Sequence, residues 1–480
     1  MDPIYNDFGF GGGVSVTDSG LNTSMAADAL FKALSAGDSA NPGAMGTGGN
    51  TLQFESLESQ LVLAIAERPE DFKLMALQPK NGVGSTVHQY TQAKDSGSYE
   101  GVNTAELGAP IESNSEYARI TRNIKYFQTK REASLQANLL NPIVGSTAAE
   151  AQEEKMGTHV LLKATENVCF HGNEAVVPNQ PNGYPQQIRN EAPGNVFDMS
   201  GKRITDAGGE TVFEEAIRGV SELGGEISDA FFPYVLAQDW QNLLKDRYRY
   251  NEGSSKAGSQ LTTFQSMYGK DIWISGRAGI DKMYKVKQVP VPSALTTLRP
   301  NAPTFAAVAQ AKTGGTGFLT GTAGTYLYSV YAIDATGLIS VSATPATVAV
   351  ASGEEVKITI TPDATLPGTG YIVCRGKKDV TTGTDIREMF KIADSGAATT
   401  VALDQNDELP GTAEMLLLTS DLVQDTYQWD SFCELKRFNL GATRASIPFL
   451  VLWYGTPDMK IANFNAVIKN VGHVDIDGWF

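Results

Sequence analysis

The residues of this 480-residue chain that could do chemistry are few and scattered. His88, His159, His171 and His473 are its only histidines, and no two stand three or four residues apart, the spacing that lets neighbouring positions share a metal ion. Cys169 and His171 offer a thiol and an imidazole, half of a ligand set, but at the end of a helical pattern a buried thiol is the plainer reading. The run Gly314-Gly315-Thr316-Gly317 lacks the Lys-Ser/Thr of a phosphate-binding loop and does not lead from a strong strand into a helix, so it reads as a loop in a β-domain. No Gly-x-Ser-x-Gly elbow, CxxC, HExxH or calcium-binding loop occurs, and nothing pairs two carboxylates as acid and base. The sequence therefore predicts no catalytic, cofactor-binding or metal-binding residue and no cofactor.

Charge narrows the classes further. A net charge of −16 repels a polyanion, and the basic clusters are short: Arg119, Arg122, Lys125, Lys130 and Arg131, then Lys245, Arg247 and Arg249. Acidic and aromatic neighbours surround both, which predicts a solvated or inter-subunit face rather than a phosphate-binding site. Cys169, Cys374 and Cys433 are odd in number and far apart, a pattern suited to a reducing compartment. Met1-Asp2-Pro3-Ile4 does not resemble a secretion signal, so cytosolic synthesis is expected and the Asn22-Thr23-Ser24 sequon reads as chance. The strongest apolar runs, 61–66 and 447–454, are far shorter than the ~20 residues that span a bilayer, and no membrane partner is expected.

With 41% hydrophobic and 19% charged residues, the composition is that of a folded protein, and the length predicts two to four compact units. Residues 1–50 are rich in Gly, Ser, Asn and Ala and read as an extended arm with one short helix at 24–34. Phe54, Leu57, Leu61, Ile65 and Phe72 recur at helical steps. Between 83 and 127 the period becomes two, predicting a hairpin whose glycine-rich middle, 95–115, is too poor in large apolar residues to hold itself rigid and must lean on a neighbour. Residues 146–170 form the best helix, with Met156, Val160, Ala164 and Val168 spaced by four, a cap at Ser146 or Thr147 with Glu150 as the capping-box partner of Thr147, and a stop at Gly172-Asn173.

Helices at 212–223 and 236–250 and strands at 272–275 and 284–289 follow. Pro290, Pro292, Pro300 and Pro303 then mark a linker. Beyond it, strands at 326–333, 356–360, 371–375, 389–392 and 399–403, separated by turn sequences, predict an all-β sandwich. Residues 447–454 read as a strand buried on both faces, and 467–471 as another strand.

Several stretches resemble the tailed-bacteriophage major capsid proteins with the Johnson, or Hong Kong 97-type, fold. Glu166-Asn167-Val168-Cys169-Phe170-His171-Gly172-Asn173-Glu174, with Asn182-Gly183-Tyr184 beyond it, is similar to that family's spine helix running into a Gly-Asn turn. Phe197-Asp198-Met199-Ser200-Gly201-Lys202 resembles the approach to its axial domain, and Phe449-Leu450-Val451-Leu452-Trp453-Tyr454-Gly455-Thr456-Pro457 its late peripheral strand. Residues 325–334 resemble a strand of an immunoglobulin-like or fibronectin-like module.

The resemblance implies an α+β fold: an N-terminal arm and helix (1–82), an extended-loop hairpin (83–127), spine helix and peripheral domain (128–195), axial domain (196–299), an inserted immunoglobulin-like β-sandwich (300–420) that would project outward, and a return to the capsid core (421–480). It implies a non-enzymatic subunit that assembles with itself into hexamers and pentamers of an icosahedral virion shell in the host cytoplasm. That shell would enclose double-stranded DNA without reading its sequence, and scaffold, portal, decoration or minor capsid proteins would be further partners. Lys94 invites comparison with the isopeptide cross-links of some relatives but reads as an ordinary lysine. The rival readings are an encapsulin-like nanocompartment shell, a bacterial surface-layer or adhesin protein, and a carbohydrate-active enzyme.

Overall fold

In the computed structural model of the chain, the described residues are 73–97, 102–104, 106, 108–109, 111–136, 149–245, 263–265, 271–277, 298–312, 317–383, 385–420, 425–442, 444–476 and 479. All lie in one compact unit, residues 65–140 and 148–480. The expected arm with its helix at 24–34, the helix at 54–72, the cap at 146–147, the strand at 284–289 and the Gly314–Thr316 loop lie outside the described residues.

The described chain opens with helix α1 (Lys73–Leu77) and strand β1 (Lys80–Gly82). Strands β2 (Val87–Asp95) and β3 (Glu116–Asn123) then pair antiparallel as an isolated two-stranded ribbon, Val87 opposite Asn123 and Asp95 opposite Glu116. The period-two pattern predicts the return strand as far as 127, but it stops at Asn123. Buried Ile124 turns the chain into β4 (Lys125–Ser134), which belongs to another sheet. Alternation of side chains continues through that change of partner, so period alone does not reveal it.

Helix α2 (Ala149–His171) lies against β4, and its buried face differs from the expected one. Gly157, Leu161, Val168 and Cys169 point inward, while Val160 and Ala164 are exposed. A Cβ on Gly157 would stand 3.2 Å from Arg131 Cγ and 3.3 Å from a Val451 methyl. The helix is therefore seated through a glycine, which a count of apolar residues passes over.

Next come α3 (Tyr184–Glu191), β5 (Val196–Asp198), α4 (Gly209–Glu222), β6 (Asp229–Pro233), α5 (Tyr234–Lys245), β7 (Thr263–Gln265) and β8 (Asp271–Arg277). Strands β9 (Thr304–Ala311), β10 (Gly324–Ile333), β11 (Ala346–Val350), β12 (Glu354–Thr361), β13 (Gly370–Gly376), β14 (Ile386–Ala393) and β15 (Thr400–Asp404) follow. The last are β16 (Ala413–Leu418), β17 (Tyr427–Asn439), β18 (Ser446–Met459) and β19 (Ala466–Val471).

A six-stranded mixed sheet in the order β5-β19-β16-β6-β8-β7 carries the centre of the fold. Its middle strands are apolar on both faces, and successive residues divide between two cores. Phe232, Met415, Leu417 and Ile468 meet Phe213, Ile217 and Val220 of α4 and Leu236 and Trp240 of α5 on one side. Phe231, Leu416, Leu418 and Val467 meet Cys169 and Phe170 of α2 and Tyr184 and Ile188 of α3 on the other. The second core continues into a four-stranded sheet, β1-β17-β18-β4. Residues 447–454, expected to be buried on both faces, alternate there. Phe449, Val451 and Trp453 face the core, whereas Leu450, Leu452 and Tyr454 are only partly covered, because α2 shields one side of this sheet.

Strands β9 to β15 form two antiparallel sheets, β11-β10-β13-β14 and β15-β12-β9, around a shared core of Tyr326, Tyr328, Val330, Val356, Ile358, Tyr371 and Val373. The flanking strands β8 and β16 both belong to the six-stranded sheet. The sandwich strands thus end at Asp404, and residues 413–418, expected within the sandwich segment, lie in the central sheet instead.

The sandwich does not hang free of the rest. Leu327, Ile372 and Cys374, on the outer face of its larger sheet, pack with Val176 and Val177 just after α2, and Thr369 Oγ1 donates to Val176 O at 3.1 Å.

Candidate assembly surface

The motifs singled out in the sequence make close backbone approaches that position the ribbon and its support. At the end of α2, a Cβ on Gly172 would run into the carbonyl oxygens of Pro181 and Val168, and one on Gly183 would lie 2.7 Å from Cys169 O. Gly183 N–H donates to Gly172 O at 2.9 Å, Glu174 N–H donates to Asn182 Oδ1 at 2.8 Å, and Tyr184 is delivered into the core to donate to Gln78 Oε1 at 2.7 Å. At 197–202, Ser200 and Gly201 take φ of 51° and 78°, and Gly201 N–H donates to Asn470 O at 2.9 Å, stitching the approach to α4 onto β19. Gly455 leaves room for Trp429, whose Nε1 would stand 2.5 Å from a Cβ there.

The ribbon is anchored at its root, and large side chains among the described residues farther out are exposed. Along β2 and β3 every second residue is half-buried at most and the rest are exposed. Tyr90 OH donates to Asp458 Oδ1 at 3.2 Å, Gln92 Nε2 to the Lys460 carbonyl at 2.9 Å, and Arg122 to Asp458 Oδ1 and Glu191 Oε1, both at 2.6 Å. Farther out, Val102, Ile111 and Tyr117 are 70%, 71% and 67% exposed. Large side chains left in water on a two-stranded ribbon seek a partner, since such a ribbon has no core of its own. Phe432, Leu435 and Phe438 on β17, Tyr126 on β4 and Val160 on α2 are exposed as well. Lys94 lies on an exposed position of β2.

The first basic cluster turns out to be largely paired. Arg122 meets Glu191 and Asp458, Lys125 meets Glu174 at 2.7 Å, and Arg131 meets Glu153 at 3.4 Å, while Arg119 and Lys130 are exposed. The side chains of the second cluster, 245–249, are outside the described residues. Among the cysteines, Cys169 and Cys374 are buried free thiols, with burial pushing both well above the usual thiol range, and Cys433 is a half-buried free thiol. Cys169 sits in the core, as the sequence suggests. His473 is buried, with Nε2 2.9 Å from Gly411 O.

One grouping escaped the sequence. His88 of β2, Asp430 of β17 and Asp458 of β18 each offer a ligand-type atom at the ribbon root, all within 4.8 Å of one another. Both carboxylates are fully buried. Burial, and secondarily the charge of Asp458, raises the Asp430 carboxyl above its ordinary range. No motif announces the group, because its members come from three strands far apart in the chain.

No family model matches the chain. It is similar to a protein of Enterococcus phage phiEF24C provisionally named a major capsid protein, 24% identical over 390 residues, covering 77% of this chain and 79% of that one. Among solved structures it overlays the capsid of an empty GTA particle at a TM-score of 0.44, with 10% identity over 90% of this chain and 100% of the other. The corresponding values for Mycobacterium phage Bobi are 0.43 and 9%, over 88% and 96%. For the holo-SrpI encapsulin complex of Synechococcus elongatus they are 0.37 and 10%, over 88% and 94%.

Proposed function

We propose that this chain is the major capsid protein of a tailed phage, a shell subunit of the Hong Kong 97-type fold that works by assembling with copies of itself. The observation that carries the reading is the similarity to the Enterococcus phage protein along most of both chains. The geometry agrees with it. A ribbon tied down at its root exposes Val102, Ile111 and Tyr117 at its outer part, and a neighbouring subunit is the partner that closed symmetry supplies in every copy. Residues 83–123 would then be the extended loop, α2 the spine helix, the four-stranded sheet the peripheral domain and the six-stranded sheet the axial domain.

The sandwich of β9 to β15 is read as an immunoglobulin-like insertion that reaches outward from the shell. The role is structural rather than enzymatic, and the subunit resides in the virion after assembly in the host cytoplasm. A net charge of −16 suits a wall that encloses double-stranded DNA without holding it. Scaffold, portal and minor capsid proteins are the further partners of such a shell.

Expression of the intact chain followed by negative-stain microscopy tests the reading. Closed shells are expected, and deletion of residues 96–115 should give a soluble chain that forms none. A dispersed monomer at high concentration, or normal particles from the deletion variant, would overturn it. An encapsulin-like compartment would enclose protein cargo in place of DNA, which nuclease-protected nucleic acid in native particles would decide.

A further inference from the structure

The geometry points to a divalent transition-metal site at the ribbon root, formed by His88 Nε2, Asp430 Oδ2 and Asp458 Oδ2. Each of the two carboxylates is divided in its hydrogen bonding. Asp430 Oδ1 accepts from Asn81 Nδ2 at 3.1 Å and Gln428 Nε2 at 2.5 Å, and Asp458 Oδ1 accepts from Arg122 Nε at 2.6 Å and Tyr90 OH at 3.2 Å. The second oxygen of each is buried and has no hydrogen-bond partner among the described residues. Two fully buried side chains thus each hold one satisfied and one unsatisfied oxygen, and the two residues offer ligand atoms within 4.8 Å of each other and of His88.

His88 Nε2 completes the group 3.8 Å from Asp430 Oδ2, and its side chain, 21% exposed, leaves a path from solvent. An orphaned buried carboxylate oxygen is costly, and a cation is the ligand that relieves two at once. One imidazole with two carboxylates suits zinc or manganese better than calcium or magnesium, which favour all-oxygen shells. The donors already on the Oδ1 atoms are what a metal site uses to fix the orientation of its ligands. The ligand atoms, within 4.8 Å of one another, would draw together to reach bonds of about 2.0–2.2 Å, a small side-chain adjustment.

Such an ion would clamp β2 to β17 and β18 and so hold the ribbon's angle. The site does not depend on the shell reading, because it lies within one chain and is measured without assembly.

The test is titration calorimetry of the purified full-length chain, stripped with chelator, against ZnCl2 and separately MnCl2. One ion per chain is expected, with affinity falling at least tenfold in His88→Ala and in Asp458→Asn, and with slower hydrogen exchange over residues 87–95 when the metal is present. His88→Ala removes a partly exposed ligand and keeps the fold, so a misfolded Asp458→Asn protein would leave the question decidable. Absence of binding of either ion at millimolar concentration, or binding unchanged in His88→Ala, would overturn the site.

Discussion

Arg122 Nε donates to Asp458 Oδ1 at 2.6 Å, joining the ribbon to the last residues of β18 across most of the chain's length. Asp458 is fully buried and the Arg122 side chain is 16% exposed, so removing the guanidinium strands a carboxylate away from water. Arg122→Ala should destabilise the chain by about 3 kcal/mol, the cost of breaking a buried ion pair from one side. Arg122→Lys should lose less, keeping a charge near Asp458 without the fork that also reaches Glu191. Denaturant midpoints of the two variants check this, and equal losses would refute the geometric part.

The turn after α2 rests on sterics. Gly172→Ala would drive a methyl into the Pro181 and Val168 carbonyl oxygens, and Gly183→Ala would place one 2.7 Å from Cys169 O. Each should cost roughly 1–3 kcal/mol, as overpacking does. Gly194→Ala is the control, since a Cβ there meets nothing within 4 Å among the described residues, and it should be near neutral. Thermal unfolding of the three variants side by side makes the comparison.

Inside the sandwich, Arg375 Nη1 donates to Asp404 Oδ2 at 2.7 Å and Nη2 to Asn406 Oδ1 at 2.8 Å, with the guanidinium carbon 4.7 Å from the centre of the Tyr326 ring. Both side chains of the pair are about 1% exposed. Arg375→Ala alone should cost roughly 3–5 kcal/mol, while Arg375→Met combined with Asp404→Leu should recover only part of it, because the pair's own net contribution is small but the buried Tyr328 hydroxyl, which donates to Asp404 Oδ2 at 2.7 Å, loses its acceptor. A double-mutant cycle read by chemical denaturation tests the asymmetry.

What could be read from the sequence follows how locally each feature is encoded. Strand β19 has a short apolar start and the ribbon alternates, so period and composition point to them, whereas β16, Ala413–Leu418, is absorbed into the expected sandwich segment because nothing local marks its change of sheet. Strands β9 and β11, Thr304–Ala311 and Ala346–Val350, escaped because alanine gives little strand signal. The inward face of α2 was misplaced because Gly157 contributes its contact by having no side chain. The cluster of His88, Asp430 and Asp458 was invisible for a different reason: pairing of β17 with β18 and docking of the ribbon bring it together, and no spacing along the chain encodes that.

His473 gives the fold a dependence on pH with a definite sign. Asp475 N–H donates to its Nδ1 at 3.3 Å, so Nδ1 carries a lone pair and Nε2–H donates to Gly411 O at 2.9 Å, an arrangement only the neutral ring can make. Burial, the largest influence, holds the imidazole below its ordinary value of 6.5. The unfolded chain therefore binds this proton before the folded one does, and stability from this residue is complete above about pH 6.5 and declines as the pH falls toward the depressed folded value. Between pH 7 and pH 5 the wild-type chain should lose more stability than His473→Asn, which has no ring to protonate. Urea midpoints at the two pH values supply the measurement, and an equal loss in both proteins would remove His473 as a source of the acid sensitivity.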